Sequence, residues 1–165
     1  FTFPGEIEGN YRNSPDMGGG ALYDVGVYSL HAIAALTSEK ATAIIESCDK
    51  KIGATGVDLT SKWQMRIDDS ITANGLASFE APENQRLVVN GTKQSIELVG
   101  SQAFTSWHSP SRLQIGDSFE DFEAVDSYAL MLESFGNRVN GLESWVLPLE
   151  ASLKVAKMLD QLRSE

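Results

Sequence analysis

Three features of the sequence predict an α+β fold with an open, mostly antiparallel sheet and helices on one face. Amphipathic helical patterns lie near both ends of the chain, and the stretches between them alternate apolar and polar residues. Short turn motifs separate these stretches, so neighbouring strands can pair as hairpins. We therefore expect about six strands between one early helix and two late ones.

The helices are predicted from apolar periodicity and from the residues that cap them. Asp126 has the position of an N-cap, and Asn140-Gly141 has that of a helix end. A proline lies in the first turn of the last helix, where its missing N–H costs nothing. The predicted helices cover residues 21–37, 127–139 and 147–162.

The strands are predicted from alternation. The clearest runs over residues 58–68, where Leu59, Trp63 and Met65 fall on one face and mostly polar residues on the other. Asp68-Asp69-Ser70 then forms a tight turn into the partner strand of a hairpin. The predicted strands cover residues 42–49, 58–68, 71–80, 85–90 and 95–99, with shorter extended pieces at 104–108, 112–115 and 119–125.

Composition excludes several classes of partner. The 165 residues include 13 basic and 23 acidic side chains, which gives a net charge of −10. Because nucleic acids and anionic membranes bind basic patches, this charge argues against both as partners. No apolar run approaches the ~18 residues of a membrane span. The single cysteine, Cys48, cannot form an internal disulfide and favours a reducing, cytoplasmic compartment. With two histidines and no metal-binding motif, we expect no metal site.

The candidate functional residues lie in one stretch, residues 18–31. Gly18-Gly19-Gly20 precede the first helix and permit a tight turn or a close approach. Asp24, Tyr28 and His31 follow at spacings i, i+4 and i+7, which places them on one face of an α-helix. Such a face can bind a polar ligand or transfer a proton. The pattern also fits a helix that only packs, and His31 is equally typical of a residue packed against the sheet.

The string Gly-Gly-Gly-Ala-Leu-x-Asp-x-Gly-x-Tyr-x-x-His over residues 18–31 resembles the signature of the second domain in the glucose–fructose oxidoreductase and inositol dehydrogenase (Gfo/Idh/MocA) family. Asn10-Tyr11-Arg12 and Pro15-Asp16 are similar to the lead-in of that family, and Tyr-x-x-Met-x-x-x-Phe at 128–135 is similar to its C-terminal pattern. The resemblance implies that residues 1–165 are the C-terminal substrate-binding and oligomerisation domain of a two-domain oxidoreductase.

The resemblance also implies a dinucleotide-binding domain outside this chain. The chain begins with Phe1 and has no Gly-x-Gly-x-x-Gly between a strand and a helix. We therefore expect NAD or NADP to be bound mainly by that other domain. The chain alone is predicted to be inactive.

The implied activity is hydride transfer to or from a hydroxyl-bearing carbon of a sugar, cyclitol or related diol. Tyr28 would then exchange the proton, because the resemblance implies an acid/base Tyr or His four residues after the aspartate. A lysine of the other domain would share the proton transfer and bring the pKa of the phenol down from the usual value of about 10. Asp24 and His31 would be catalytic and substrate-binding residues, and Arg12 a further substrate contact. The alternative is a non-catalytic binding or assembly module of the same family.

A homo-oligomer is implied as well, formed through the open face of the sheet. The strand pattern leaves that face only partly polar, and Trp63, Met65 and Phe79 need cover from something. A second copy of the chain would provide that cover.

Overall fold

In the residues that the structure describes, seven strands form two antiparallel sheets of three and four strands, accompanied by three α-helices. The computed structural model describes residues 1–5, 9–100, 102–105 and 108–165. The predicted α+β class and open antiparallel pairing are confirmed, with the strands divided between two sheets where we expected one. The strands are β1 (Ala43–Ile52), β2 (Asp58–Ile67), β3 (Ile71–Ser78), β4 (Leu87–Asn90), β5 (Ser95–Leu98), β6 (Ser111–Ile115) and β7 (Ser118–Phe122). The helices are α1 (Val27–Leu36), α2 (Ser127–Val139) and α3 (Leu149–Ser164).

The chain consists of two compact units. The first combines Phe1–Asn84 with Leu149–Glu165. It contains the β1-β2-β3 sheet, α1 and α3. The start of the chain pairs with the end of β3, where the Phe3 N–H donates to the Ser78 carbonyl (2.9 Å). Because these backbone groups are already paired, the edge of β3 is closed at this point to a further strand.

β2 forms the centre of the core of this unit because its alternate side chains point towards the helices. Leu59, Ser61, Trp63, Met65 and Ile67 are all buried, whereas the residues between them are half-buried or exposed. The alternation predicted for this strand is therefore confirmed. The remaining core residues come mainly from the helices and β3: Ala21, Leu22, Val25, Leu30, Val57, Ala77, Phe79, Val155, Met158, Leu159 and Leu162.

The opposite face of the same sheet is mostly polar, although Ile44 and Leu76 are exposed on it. Glu46 on β1 accepts a hydrogen bond from Arg66 on β2 (2.9 Å). Trp63, Met65 and Phe79, which we expected to need a partner subunit, are 3%, 0% and 2% exposed, because they pack in the core formed with the helices. The apolar residues proposed to drive self-association are thus already covered, and an oligomer through the open face stays a prediction.

The second unit is Gln85–Pro148, with the β4-β5-β6-β7 sheet and α2. Aliphatic side chains pair across this sheet, as Leu98 does with Leu113. The predicted N-cap is confirmed, since the Asp126 carboxylate accepts hydrogen bonds from the N–H groups of the second and third residues of α2 (both 3.0 Å). Gly141 (φ 75°) follows the end of the helix.

The extended piece predicted at 104–108 is not one of the described strands. Ser106 and Trp107 lie outside the described residues. Nearby, the buried Gln85 side chain accepts hydrogen bonds from the N–H groups of Phe104 (3.0 Å) and Thr105 (2.9 Å). That the two units together make one domain stays a prediction.

Candidate active site

Two kinds of helical turn make up the segment that carries Asp24, Tyr28 and His31. Leu22–Gly26 is a π-helical turn of five residues, and α1 continues from it. The predicted helix over 21–37 is present, but its first turn is wider than an α-turn because a π-turn closes i→i+5 hydrogen bonds. Asp24 lies inside the π-turn, whereas Tyr28 and His31 lie on α1. Such turns are frequent at functional sites.

The three glycines at residues 18–20 attach this turn to the loop that precedes it. Their N–H groups donate in order to the carbonyls of Pro15 (3.1 Å), Ser14 (2.9 Å) and Arg12 (2.9 Å). A Cβ on Gly19 would lie 2.8 Å from the Ser14 oxygen and closer still to the Arg12 oxygen. The glycines therefore allow the backbone of the loop to approach the helix entrance at a distance that no side chain permits.

Asp58, at the start of β2, closes the helix entrance from another direction. Its Oδ2 accepts hydrogen bonds from the Leu22 N–H (2.8 Å) and the Ser61 hydroxyl (2.7 Å). A carboxylate beside the first N–H groups of a helix is stabilised by the helix dipole. Sequence reasoning missed Asp58, because it lies 36 residues from Leu22 and belongs to a strand pattern.

The Asp24 carboxylate is held by two side chains of the loop. The Arg12 Nε donates to Oδ2 at 2.8 Å, and the Tyr11 hydroxyl donates to Oδ1 at 3.2 Å. The side chains of the ion pair are 27% (Arg12) and 14% (Asp24) exposed, so water screens it only in part. We predicted Asp24 and Arg12 as separate candidates, and the structure places them in contact. Tyr11 was missed as a site residue, although it is part of the lead-in string.

The Arg12 guanidinium is oriented by its neighbours. It lies over the rings of Tyr11 (4.9 Å) and Phe3 (5.9 Å). The Asn10 Oδ1 accepts hydrogen bonds from the Arg12 Nη1 (3.4 Å) and from the Arg12 backbone N–H (3.0 Å). The hydrogen bond to Asp24 raises the pKa of Arg12, so this group is a permanent cation.

Tyr28 is half-buried, and its ring packs against Phe1. The two ring centroids are 5.5 Å apart, and Phe1 in turn contacts Phe3 at 6.0 Å. Because Arg12 lies over Phe3, this aromatic cluster borders the Arg12–Asp24 ion pair. The structure thus collects a phenol, a carboxylate and a guanidinium in one neighbourhood, groups that can bind hydroxyls and exchange a proton.

His31 takes no part in these contacts. It is half-buried on α1 and, within the part of the chain that the structure describes, forms no hydrogen bond or ion pair. Its position three residues after Tyr28 places it one helical turn farther along. A role for His31 in catalysis or substrate binding stays a prediction.

A cleft of about 210 Å³ lies beside the candidate site, lined by the glycine loop, β1, the start of β2 and the end of α3. Arg163 lies over the Tyr23 ring at 5.8 Å, and Lys50 donates to the Arg163 carbonyl (2.8 Å). Asp24 and Tyr28 do not line this cleft. Although Tyr23 and Asp24 are adjacent in the sequence, Tyr23 lines the cleft and Asp24 does not.

Among the described residues, no group of three His, Cys, Asp or Glu side chains could hold a metal ion. None of the helices found there combines the length and the apolar character that crossing a bilayer demands.

Comparison with known proteins gives a family match and several relatives. The model of the GFO/IDH/MocA C-terminal domain matches residues 1–97. A D-xylose 1-dehydrogenase (NADP(+)) from Haloferax volcanii is 26% identical over 156 residues, which cover 90% of this chain and 46% of that protein. The dTDP-3,4-didehydro-2,6-dideoxy-α-D-glucose 3-reductase of Streptomyces antibioticus is 56% identical over 32 residues, 19% of this chain and 10% of that protein.

Solved structures share the fold. A 3-ketoreductase from Actinomadura kijaniata, in complex with NADP and TDP-benzene, superposes with a TM-score of 0.85 at 23% identity. The match covers 99% of this chain and 51% of the other. The xylose dehydrogenase and the 3-ketoreductase match nearly all of this chain, and the chain spans about half the length of each.

Proposed function

We propose that this chain is the substrate-binding half of an NADP-dependent sugar oxidoreductase, because it belongs to the GFO/IDH/MocA C-terminal domain family. The full-length protein would transfer a hydride to or from a hydroxyl-bearing carbon of a sugar. Two relatives support the substrate class, since one is a xylose dehydrogenase and the other a reductase of a dTDP-linked sugar. The single observation that carries the proposal is the family match over the residues that form the candidate site.

The glycine run of this chain does not fit a dinucleotide. A phosphate-binding loop presents free backbone N–H groups to the pyrophosphate, whereas those of residues 18–20 all donate to carbonyls of the preceding loop. We therefore assign the NADP site to the part of the full-length protein outside this chain. The hydride chemistry is supplied by the nicotinamide of NADP when that cofactor is bound.

Tyr28 is the proposed proton-transferring group. In the reducing direction its hydroxyl gives its proton to the substrate carbonyl oxygen, and in the oxidising direction the phenolate takes the proton of the substrate hydroxyl. The first role needs the protonated phenol and the second needs the phenolate. The packing of Tyr28 against Phe1 fixes the ring in one place.

Asp24 and Arg12 are proposed to bind the substrate as one unit. Among the described residues, each carboxylate oxygen of Asp24 has one partner, Arg12 or Tyr11, and retains a second lone pair for a substrate hydroxyl. Arg12 has N–H groups beyond those bound to Asp24 and Asn10, which could donate to substrate oxygens. His31 is proposed as a further contact one helical turn away.

The test is a substrate screen of the full-length protein with NADP⁺ and NADPH, followed by Tyr28→Phe. The screen should include D-xylose, other aldoses and dTDP-linked ketosugars. Tyr28→Phe keeps the ring and its packing but removes the proton, so kcat should fall about 10²–10⁴-fold. Tyr23→Phe is the matched control, because the Tyr23 hydroxyl lies near Arg163 and outside the site.

Two results would contradict the proposal. A full-length protein without activity on any sugar would favour the non-catalytic binding module instead. Near wild-type turnover by Tyr28→Phe would make Tyr28 a packing residue and remove it from the proton path.

A further inference from the structure

The loop before the glycines brings two consecutive side chains to one carboxylate. Arg12 holds Oδ2 of Asp24 (2.8 Å), and Tyr11 holds Oδ1 (3.2 Å). A carboxylate bound at one oxygen can still turn about the bond that joins it to its Cβ, whereas hydrogen bonds at both oxygens restrict that rotation. Tyr11 thus supplies the second of two constraints on the plane of the Asp24 carboxylate.

Tyr11 is itself fixed in place. It begins a 3₁₀ turn, Tyr11–Asn13, which the Asn10 side chain caps by accepting a hydrogen bond from the Arg12 N–H. The Tyr11 ring lies against the Arg12 guanidinium at 4.9 Å, so the two side chains also support each other. The Tyr11 side chain therefore keeps its position although the residue is 46% exposed.

The backbone sets the distance between this turn and Asp24. The Gly20 N–H donates to the Arg12 carbonyl (2.9 Å), and the Asp24 N–H donates to the Gly20 carbonyl (3.1 Å). Two backbone hydrogen bonds thus connect Arg12, through Gly20, to Asp24. The path of the backbone, and not the conformation of a mobile surface side chain, therefore brings Tyr11 to Asp24.

From this geometry we infer that Tyr11 is a positioning residue that orients Asp24 through its hydroxyl. The functional consequence rests on the proposed function, in which Asp24 binds the substrate one helical turn before Tyr28. An Asp24 carboxylate held at both oxygens presents its remaining lone pairs in one direction. Loss of the Tyr11 hydroxyl frees Oδ1 and lets the carboxylate rotate, so that Oδ2 leaves Arg12 more often.

The test compares Tyr11→Phe with Tyr23→Phe in two measurements. Each change removes one hydroxyl and keeps the ring, but the Tyr23 hydroxyl lies 3.5 Å from Arg163 and is not bonded to Asp24. The first measurement is hydrogen exchange of the Arg12 Nε–H, followed by NMR on the 165-residue chain. The second is kcat and KM of the full-length protein.

We expect Tyr11→Phe to speed exchange at the Arg12 Nε–H about 3- to 10-fold, because Asp24 then leaves Arg12 more often. In the full-length enzyme it should lower kcat/KM about tenfold. Tyr23→Phe should change neither quantity. If Tyr11 only packs, its ring is preserved in Tyr11→Phe, and the exchange rate of the Arg12 Nε–H should equal that of Tyr23→Phe. Equal exchange rates in the two variants would overturn the inference.

The NMR measurement keeps this inference separate from the proposed function. Faster exchange in Tyr11→Phe, together with a wild-type protein inactive on sugars, would support the positioning of Asp24 and overturn the proposed activity. Active enzyme with unchanged exchange and unchanged kcat/KM in Tyr11→Phe would overturn the role of Tyr11 alone.

Discussion

Replacement of Gly19 by alanine tests whether the glycine run serves to bring the loop against the helix entrance. The new Cβ would lie 2.8 Å from the Ser14 oxygen, 2.8 Å from the Arg12 carbonyl carbon, and closer still to the Arg12 oxygen. Favourable contacts of a carbon atom are roughly 3.5–4.0 Å, so the loop must retreat by roughly 1 Å. The atoms that it meets are backbone atoms and cannot move aside as a side chain can.

The cost follows from what the retreat breaks. Overpacking of this kind costs about 1–3 kcal/mol. The retreat would lengthen two backbone hydrogen bonds. The Gly19 N–H donates to the Ser14 carbonyl and the Gly20 N–H to the Arg12 carbonyl, both at 2.9 Å. Weakening them adds about 1 kcal/mol each, and the lower entropy of an unfolded alanine returns about 0.4–1 kcal/mol. We expect Gly19→Ala to lower the free energy of unfolding by about 2–4 kcal/mol.

Urea denaturation followed by circular dichroism measures this change, with Gly18→Ala as the control. Gly18 has a φ of 72°, and a Cβ added there would meet no atom within 4 Å, so its substitution brings backbone strain without a collision. That strain is about 1–2 kcal/mol. A smaller loss of stability in Gly19→Ala than in Gly18→Ala would refute the close approach of loop and helix.

Two further outcomes are expected. Gly75→Ala should lower the free energy of unfolding by about 1–3 kcal/mol, because its Cβ would collide with the Trp63 ring, which is only 3% exposed and cannot move away; unchanged stability in a urea titration would contradict this packing. The 165-residue chain should not bind NADPH in a calorimetric titration, since the N–H groups of residues 18–20 are already bonded within the chain, and micromolar affinity would show that reasoning to be wrong.

The sequence by itself determined the features that depend on residues close together in the chain. The alternation over 58–68 predicted β2 and the shared face of Trp63 and Met65, because side chains of a strand point to opposite faces in turn. Asp126 predicted the start of α2, because a cap acts on N–H groups two and three residues ahead. The string at residues 18–31 predicted the family that the comparison then confirmed.

Tertiary structure alone decided which faces are covered and which side chains meet. Trp63 and Met65 lie under the helices of their own unit, and periodicity cannot tell that cover from a partner subunit. Arg12 and Tyr11 reach Asp24 only because the glycines carry the loop back against the helix, and Asp58 reaches the helix entrance from another strand. These contacts depend on the path of the backbone between distant residues, which local spacing does not encode.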